Sequence, residues 1–391
     1  MFPGVRPRRA PATGRPRPRQ RYDMDTTTPH SASHTSARRA GVGPRAVRWA
    51  AIGFAIVIFL ACWATVAVPT FAQPASAPPV PQTVRIDTGE ISGLETESGL
   101  EFRGVPFAAA PTGELRWKPP QAVAPWTGVR DAVTYSPVCP QAPPSPNGQS
   151  EDCLYLNVTV PERATTSSKL PVIVWIHGGG FELGEGADYE APDLSAKGAI
   201  VVTINYRLGL LGFLAHPALA EKPGGASGNY GLMDQQEALR WVQRNIAQFG
   251  GNPGAVTIAG QSAGGLSVFQ QLVSPGAKGL FHRAVAQSGA FAPSQKTLAD
   301  AQAEGAVSAS AVGCADQSAE CLRQVPVDVL VANQPLSVTP GVIDGAVVPR
   351  SIGKALATGQ FNRVPIINGV NTQENRLFTT LYEAGLTKAR R

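Results

Sequence analysis

The sequence predicts an α/β domain built on a mainly parallel sheet and entered through antiparallel strands. Three observations carry that expectation. The runs "PVIVWI" (171–176) and "AIVVTINY" (199–206) are almost continuously apolar, as strands buried on both faces are. Shorter runs of the same kind recur at "VTIA" (256–259), "RAVAQ" (283–287) and "VPIIN" (364–368), with helical patterning between them. Ahead of these, "TVRIDTGEISGLE" and "LEFRGVPFA" alternate in the manner of short strands joined by glycine turns.

The elements follow in chain order. Of the 391 residues, 1–48 carry eleven Arg against Asp23 and Asp25, while the remainder is mildly acidic. This Pro/Arg-rich stretch cannot bury a core and reads as a disordered basic tail. Interleaved aromatics are nearly absent from it, so no nucleic-acid partner is expected. From Trp49 to Val68 run twenty residues without a charge, closed by Pro69. That length suits a membrane-spanning helix, and arginines before it with none just after favour export of the rest. "TFAQ" places Thr70 and Ala72 where a signal peptidase prefers small residues. Two readings stay open for residues 49–68: an uncleaved membrane anchor, or the cleaved leader of a secreted protein. Met24 is an alternative start. Residues 69–82, "PTFAQPASAPPVPQ", are a Pro-rich linker to the exported domain. Within that domain, Leu239, Val242, Ile246 and Phe249 recur at helical spacing in "DQQEALRWVQRNIAQFGG". Asp234 is placed to cap that helix at its start and Gly250 to end it.

Of five cysteines, Cys62 lies in the apolar run, which leaves Cys139, Cys153, Cys314 and Cys321. Four cysteines allow three pairings, and a disulfide needs the oxidising compartment that export supplies. No C-x-x-C pair or histidine cluster supports a metal site, and no cofactor is implied.

The chemistry begins at "AGQSAGG" (259–265). Ser262 lies between Gly260 and Gly264 in a G-x-S-x-G pattern, after the strand "VTIA" and before the helical run "AGGLSVFQQLV". That is the nucleophile-elbow arrangement: the serine occupies a strained turn, so the positions two away on either side must be small. The following helix points its N-terminus at the site, where negative charge develops. A second element, "HGGGF" (177–181), follows the strand "PVIVWI" directly. Its glycines let backbone N–H groups turn toward an oxyanion, together with the N–H of Ala263 after the nucleophile.

With these elements in order, the chain resembles the type B carboxylesterase (cholinesterase-like) family of α/β-hydrolases. The similarity runs from about residue 83 to 378. It is carried by "FRGVPFAAAPTGELRW", "EDCLYLNV", "WIHGGGF", "NYRLGLLGFL", "GNYGLMDQ", "WVQRNIAQFGGNP", "GQSAGG" and "GLFHRAVAQSG". The resemblance implies an α/β-hydrolase domain over residues 83–391, incomplete at its C-terminus. It implies Ser262 as nucleophile, Glu374 of "GVNTQENRLF" as triad acid, and Gly179, Gly180 and Ala263 as oxyanion donors. It also implies disulfides Cys139–Cys153 and Cys314–Cys321 and an ion pair between Arg103 and Glu151. The implied partner is a small-molecule ester. Gln261 stands where many relatives have Glu, and Gln373 and Asn375 stand where relatives often have Asp and Gly. No Trp lies between Cys139 and Cys153 to hold a quaternary ammonium, so uncharged carboxylic esters are expected rather than choline esters.

One part does not fit. The fold's chain order is Ser, then Asp/Glu, then His, and none of the seventeen residues after Glu374 is histidine. His30 and His34 precede the apolar segment, His177 belongs to the glycine turn, His282 to a helix-to-strand joint, and His216 to a loop without a motif. None is placed to act as base. The expectation is a carboxylesterase impaired by loss of its histidine through truncation or frameshift. A non-catalytic surface-binding protein and a site completed by a second polypeptide are the alternatives. The strand "VPIIN" is expected to present an open sheet edge.

Overall fold

The computed structural model describes residues 78–189, 191–222, 225–334 and 341–374, together with 376, 379 and 380. The expected basic tail, the apolar segment 49–68, residues 69–77 of the linker, and Cys62, His30 and His34 lie outside them. Among the described residues no helix is long and apolar enough to cross a membrane.

Alternating patterning near the start produces two hairpins, β1 (Thr83–Ile86) with β2 (Gly89–Ser92) and β3 (Leu94–Thr96) with β4 (Gly99–Pro106). β5 (Val129–Asp131) adds to β2. Then come β6 (Tyr155–Pro161), β7 (Leu170–Ile176), β8 (Ile200–Ile204), β9 (Gly251–Gln261) and β10 (Arg283–Gln287). β11 (Lys296–Thr297) and β12 (Val342–Ile343) form a small parallel pair, and β13 (Ile366–Gly369) closes the set.

Among the described residues eight strands make the main sheet, in the order β13-β10-β9-β7-β8-β6-β4-β3. β3, β4, β6 and β8 pair antiparallel, whereas β8, β7, β9, β10 and β13 run parallel. All five residues of β8 are buried, as its unbroken apolar run requires. Parallel pairing also aligns the C-terminal ends of β7, β9, β10 and β13, where an open α/β sheet binds its ligands.

The described helices are α1 (Pro192–Ser195), α2 (Gly209–Phe213), α3 (Tyr230–Asn245), α4 (Ala263–Val273), α5 (Leu298–Ala311), α6 (Ala319–Gln324), α7 (Val327–Ala332) and α8 (Ile352–Ala357). α4 coincides with the helical run after the G-x-S-x-G pattern. α3 begins four residues before Asp234, which does not cap it. Asp234 is fully buried and takes a two-pronged ion pair from Arg207, at 2.7 and 2.8 Å. A carboxylate so deep needs its partner. Gly250 does end the helical stretch, at φ 80°.

Two disulfides join Cys139 to Cys153 and Cys314 to Cys321. The expected Arg103–Glu151 pair is not present. Arg103 pairs with Glu101 at 2.6 Å, two residues back on the same face of β4, and lies over the Tyr135 ring. Glu151 is instead gripped by Arg116, with bonds of 2.7 and 2.6 Å. Arg116 also donates to the carbonyls of Arg323 and Val325, tying the segment before β5 to the end of α6. Alternation within β4 keeps Arg103 next to Glu101 and away from Glu151.

Among the described residues no strand lies beyond "VPIIN" in the sheet. β13 lies at the end of the sheet with all four residues exposed, and Ile367 and Val370 are 69% and 67% exposed.

Because Arg116 and Glu151 are nearly buried, Arg116→Ala should cost about 3–5 kcal/mol by stranding the carboxylate. Arg103→Ala should cost about 1 kcal/mol or less, as expected of a more exposed pair. Chemical denaturation of the two variants checks this order.

Candidate active site

Ser262 sits where β9 turns sharply into α4, with φ 55° and ψ −121°. A non-glycine residue in that region is strained by about 1–3 kcal/mol and persists only where its surroundings over-determine it. Here they do. The Ser262 N–H donates to Gln287 O at the end of β10 (2.9 Å), and its carbonyl accepts from Leu266 (2.9 Å). A Cβ on Gly260 would stand 2.5 Å from the Gly264 backbone, and one on Gly264 only 2.0 Å from Ile176 O. The need for small residues around the serine is therefore a matter of backbone pressed on backbone. Gly265 and Gly289, which carry no signal of their own in the sequence, do the same between α4 and the end of β10.

The glycine turn after β7 lies against this elbow. A Cβ on Gly178 would come within 3.3 Å of the Ser262 Cβ. Three hydrogen bonds to two carbonyls set the turn's donors. His177 Nδ1 contacts Gly178 O at 2.8 Å, and Gly179 O accepts from both Glu182 and Leu183 at 3.0 Å. In a trans peptide the N–H points opposite to the C=O. Holding these two carbonyls therefore turns the N–H groups of Gly179 and Gly180 the other way. Among the described residues neither N–H has an acceptor. Ala263, the first residue of α4, has an N–H with no intrahelical partner by position.

His177 is fully buried, stacked on Tyr206 with centroids 4.4 Å apart. The Tyr206 hydroxyl donates to His177 O (2.9 Å). Burial pushes the imidazole pKa down to about 4, so it is neutral at physiological pH, and its Nδ1–H is committed to Gly178.

Glu374 lies beyond the end of β13, at the margin of the sheet, and accepts from the Asn371 N–H (3.2 Å). Hydrogen bonding by the Ser288 hydroxyl, then by Asn371, holds its carboxyl below the usual range. Ser288 follows β10, also has positive φ (51°), and donates its N–H to Gly369 O at 2.7 Å. The backbone path from Ser262 toward Glu374 thus runs through Gln287 and Ser288 to Gly369, across three adjacent strand ends. Ser288 is a second residue that sequence reasoning missed; its signal is the Ser-Gly pair closing "RAVAQSG".

The histidines are elsewhere. The Ala218 N–H donates to His216 Nδ1, which leaves Nε2–H for Gln317 Oε1 at 2.9 Å. His282 Nδ1 accepts from the Val256 N–H, six residues of extended strand, or about 20 Å, from Ser262. No described histidine stands between Ser262 and Glu374.

The sequence pattern of the carboxylesterase family matches residues 80–390. The chain belongs to the carboxylesterase family. It is 40% identical to Carboxylesterase 1D of Rattus norvegicus over 340 residues, covering 76% of this chain and 59% of that protein. It is also 40% identical to the fumonisin B1 esterase of Sphingopyxis macrogoltabida, covering 79% of this chain and 61% of that protein. Among solved structures, the Geobacillus stearothermophilus carboxylesterase EST55 superposes with TM-score 0.73 at 37% identity, over 79% of this chain and 65% of that one. The chain thus spans less than two thirds of the length of these carboxylesterases.

Two predictions follow from this geometry. Replacing Ser262 by Gly relieves the turn, so Ser262→Gly should be about 1–3 kcal/mol more stable than Ser262→Ala by thermal or chemical denaturation. The His177 pKa is depressed on folding, so its contribution is complete above the unfolded value near 6.5 and is lost as pH falls toward 4. That loss is about 3 kcal/mol, and a His177→Gln variant should lack that part of the pH slope.

Proposed function

We propose that this chain carries the nucleophile, oxyanion cradle and acid of a serine carboxylesterase acting on uncharged carboxylic esters. Ser262 Oγ attacks the ester carbonyl, and the resulting oxyanion is held by the N–H groups of Gly179, Gly180 and Ala263. Collapse releases the alcohol and leaves an acyl-serine, which water then cleaves. Each step moves a proton, first from Ser262 and later from the attacking water. Glu374 is positioned to orient the imidazole that would carry it. None of the described histidines is placed to be that imidazole.

The observation that carries the reading is Ser262 at φ 55° with the glycine turn packed against it. A binding module has no physical need for a strained serine beside two unoccupied N–H donors. The absence of Trp between Cys139 and Cys153 favours uncharged acyl and alcohol groups over quaternary ammonium esters. The two disulfides fit an oxidising compartment, and we extend the proposal to an exported protein whose residues 49–68 serve as leader or anchor.

Prolonged exposure to a reactive uncharged p-nitrophenyl ester should acylate Ser262 selectively, as seen by peptide mass spectrometry. Acylation scattered over surface lysines with Ser262 unmodified would contradict the assignment. A serine hydrolase working without a triad histidine turns over about a millionfold more slowly, keeping about a thousandfold over water from binding and the oxyanion donors. Ser262→Ala should therefore leave the turnover of this 391-residue chain almost unchanged.

A further inference from the structure

The glycine turn is braced from a quarter that the mechanism does not use, the loop closed by the Cys139–Cys153 disulfide. Gln141, only 6% exposed, sets its side-chain amide against the backbone of Gly184. Its Oε1 accepts from the Gly184 N–H at 2.8 Å, and its Nε2 donates to Gly184 O and to Cys139 O, both at 3.2 Å. One carboxamide thereby satisfies both polar groups of Gly184, as a neighbouring strand would. The next residue is held from the same loop. Glu185, 5% exposed, accepts from the Ser145 hydroxyl at 2.5 Å and from Asn147 Nδ2 at 3.0 Å.

Gly184 is the far end of the turn that sets the oxyanion donors. Its backbone, at φ +108°, lies so near the His177–Gly178 contact that a Cβ there would stand 2.6 Å from His177 Nδ1 and 2.9 Å from Gly178 O. The residue before it, Leu183, donates to Gly179 O. Movement of Gly184 therefore reaches both carbonyls that orient the Gly179 and Gly180 N–H groups.

We propose that Gln141 is a positioning residue for the oxyanion cradle, pinning Gly184 and through it the Gly178 and Gly179 carbonyls, with the disulfide-closed loop 139–153 as its mount. This rests on the ester-hydrolase reading given above.

The test is binding of phenylboronic acid to the full 391-residue chain. Boron accepts Ser262 Oγ, the serine proton leaves to solvent, and a tetrahedral anion forms with a B–O oxygen in the cradle, so no proton carrier is needed at equilibrium. Binding should depend on Ser262, being lost in Ser262→Ala. Gln141→Leu should weaken it about tenfold to a hundredfold, the cost of a misplacement near 1 Å. Gln141→Glu separates positioning from stability. Ionised, the introduced carboxyl has no donor and repels Gly184 O; protonated, it regains one donor and one acceptor. Its affinity relative to the unaltered chain should rise toward one as pH falls from about 8 to about 5, through the range in which a buried carboxyl protonates.

Wild-type affinity in Gln141→Leu would overturn the inference. So would an affinity ratio for Gln141→Glu that stays constant with pH, and that comparison decides alone if Gln141→Leu does not fold. Absence of Ser262-dependent binding in the unaltered chain would overturn the hydrolase reading and this inference with it.

Discussion

The site depends on one steric constraint, the crossing of the elbow glycine Gly264 over the last carbonyls of β7. With Gly264 in place, α4 lies directly on Ile176 O and His177 O; a single methyl group would intrude to 2.0 Å. Interiors are packed too tightly to absorb that. The contact fixes the start of α4 relative to the glycine turn, and so fixes the Ala263 N–H relative to those of Gly179 and Gly180. Register does the rest. Ile176 pairs with Gly260, and Gly260 with Ala286, so the ends of β7, β9 and β10 arrive together.

The two sides of the site differ in how they are held. On the oxyanion side, the imidazole of His177 and the ring of Tyr206 are fully buried, and every carbonyl that matters for orientation has a partner. Burial raises the Tyr206 pKa well above its ordinary value, so its hydroxyl remains a donor to His177 O at any physiological pH. On the acid side, Glu374 hangs from an exposed edge strand and is steadied by Ser288 and Asn371. Ser262 and the glycine turn are thus interior features of the sheet, whereas Glu374 belongs to its margin. A carboxylate at that margin can orient an imidazole, but none reaches it from the described residues.

Features encoded locally were legible in the sequence. The G-x-S-x-G elbow, α4, the glycine turn and the parallel strands are each written within a dozen residues by periodicity and glycine spacing. Contacts across the chain were not. Asp234 reads as a helix cap because a carboxylate before an apolar-periodic run usually is one; its burial against Arg207 comes from a residue 27 positions earlier. Arg116 takes Glu151 because alternation along β4 turns Arg103 toward Glu101. β6 was not recognised as a strand, and β9 starts five residues before its apolar run, where Gly251 and Pro253 disguise it. Gln141 carries no motif, since its partner Gly184 lies 43 residues away. Ser288 was visible only as the residue after a strand.

Among the described residues, the proposed nucleophile, anion cradle and acid come together with no histidine between them. Free imidazole supplied in solution tests that most directly, with p-nitrophenyl acetate as substrate and the Ser262→Ala chain as the blank. The expected result is Ser262-dependent, multiple-turnover p-nitrophenol release that grows with added imidazole, whereas without it only the slow single acylation of Ser262 occurs. Saturable, Ser262-dependent turnover in the absence of any added base would contradict it.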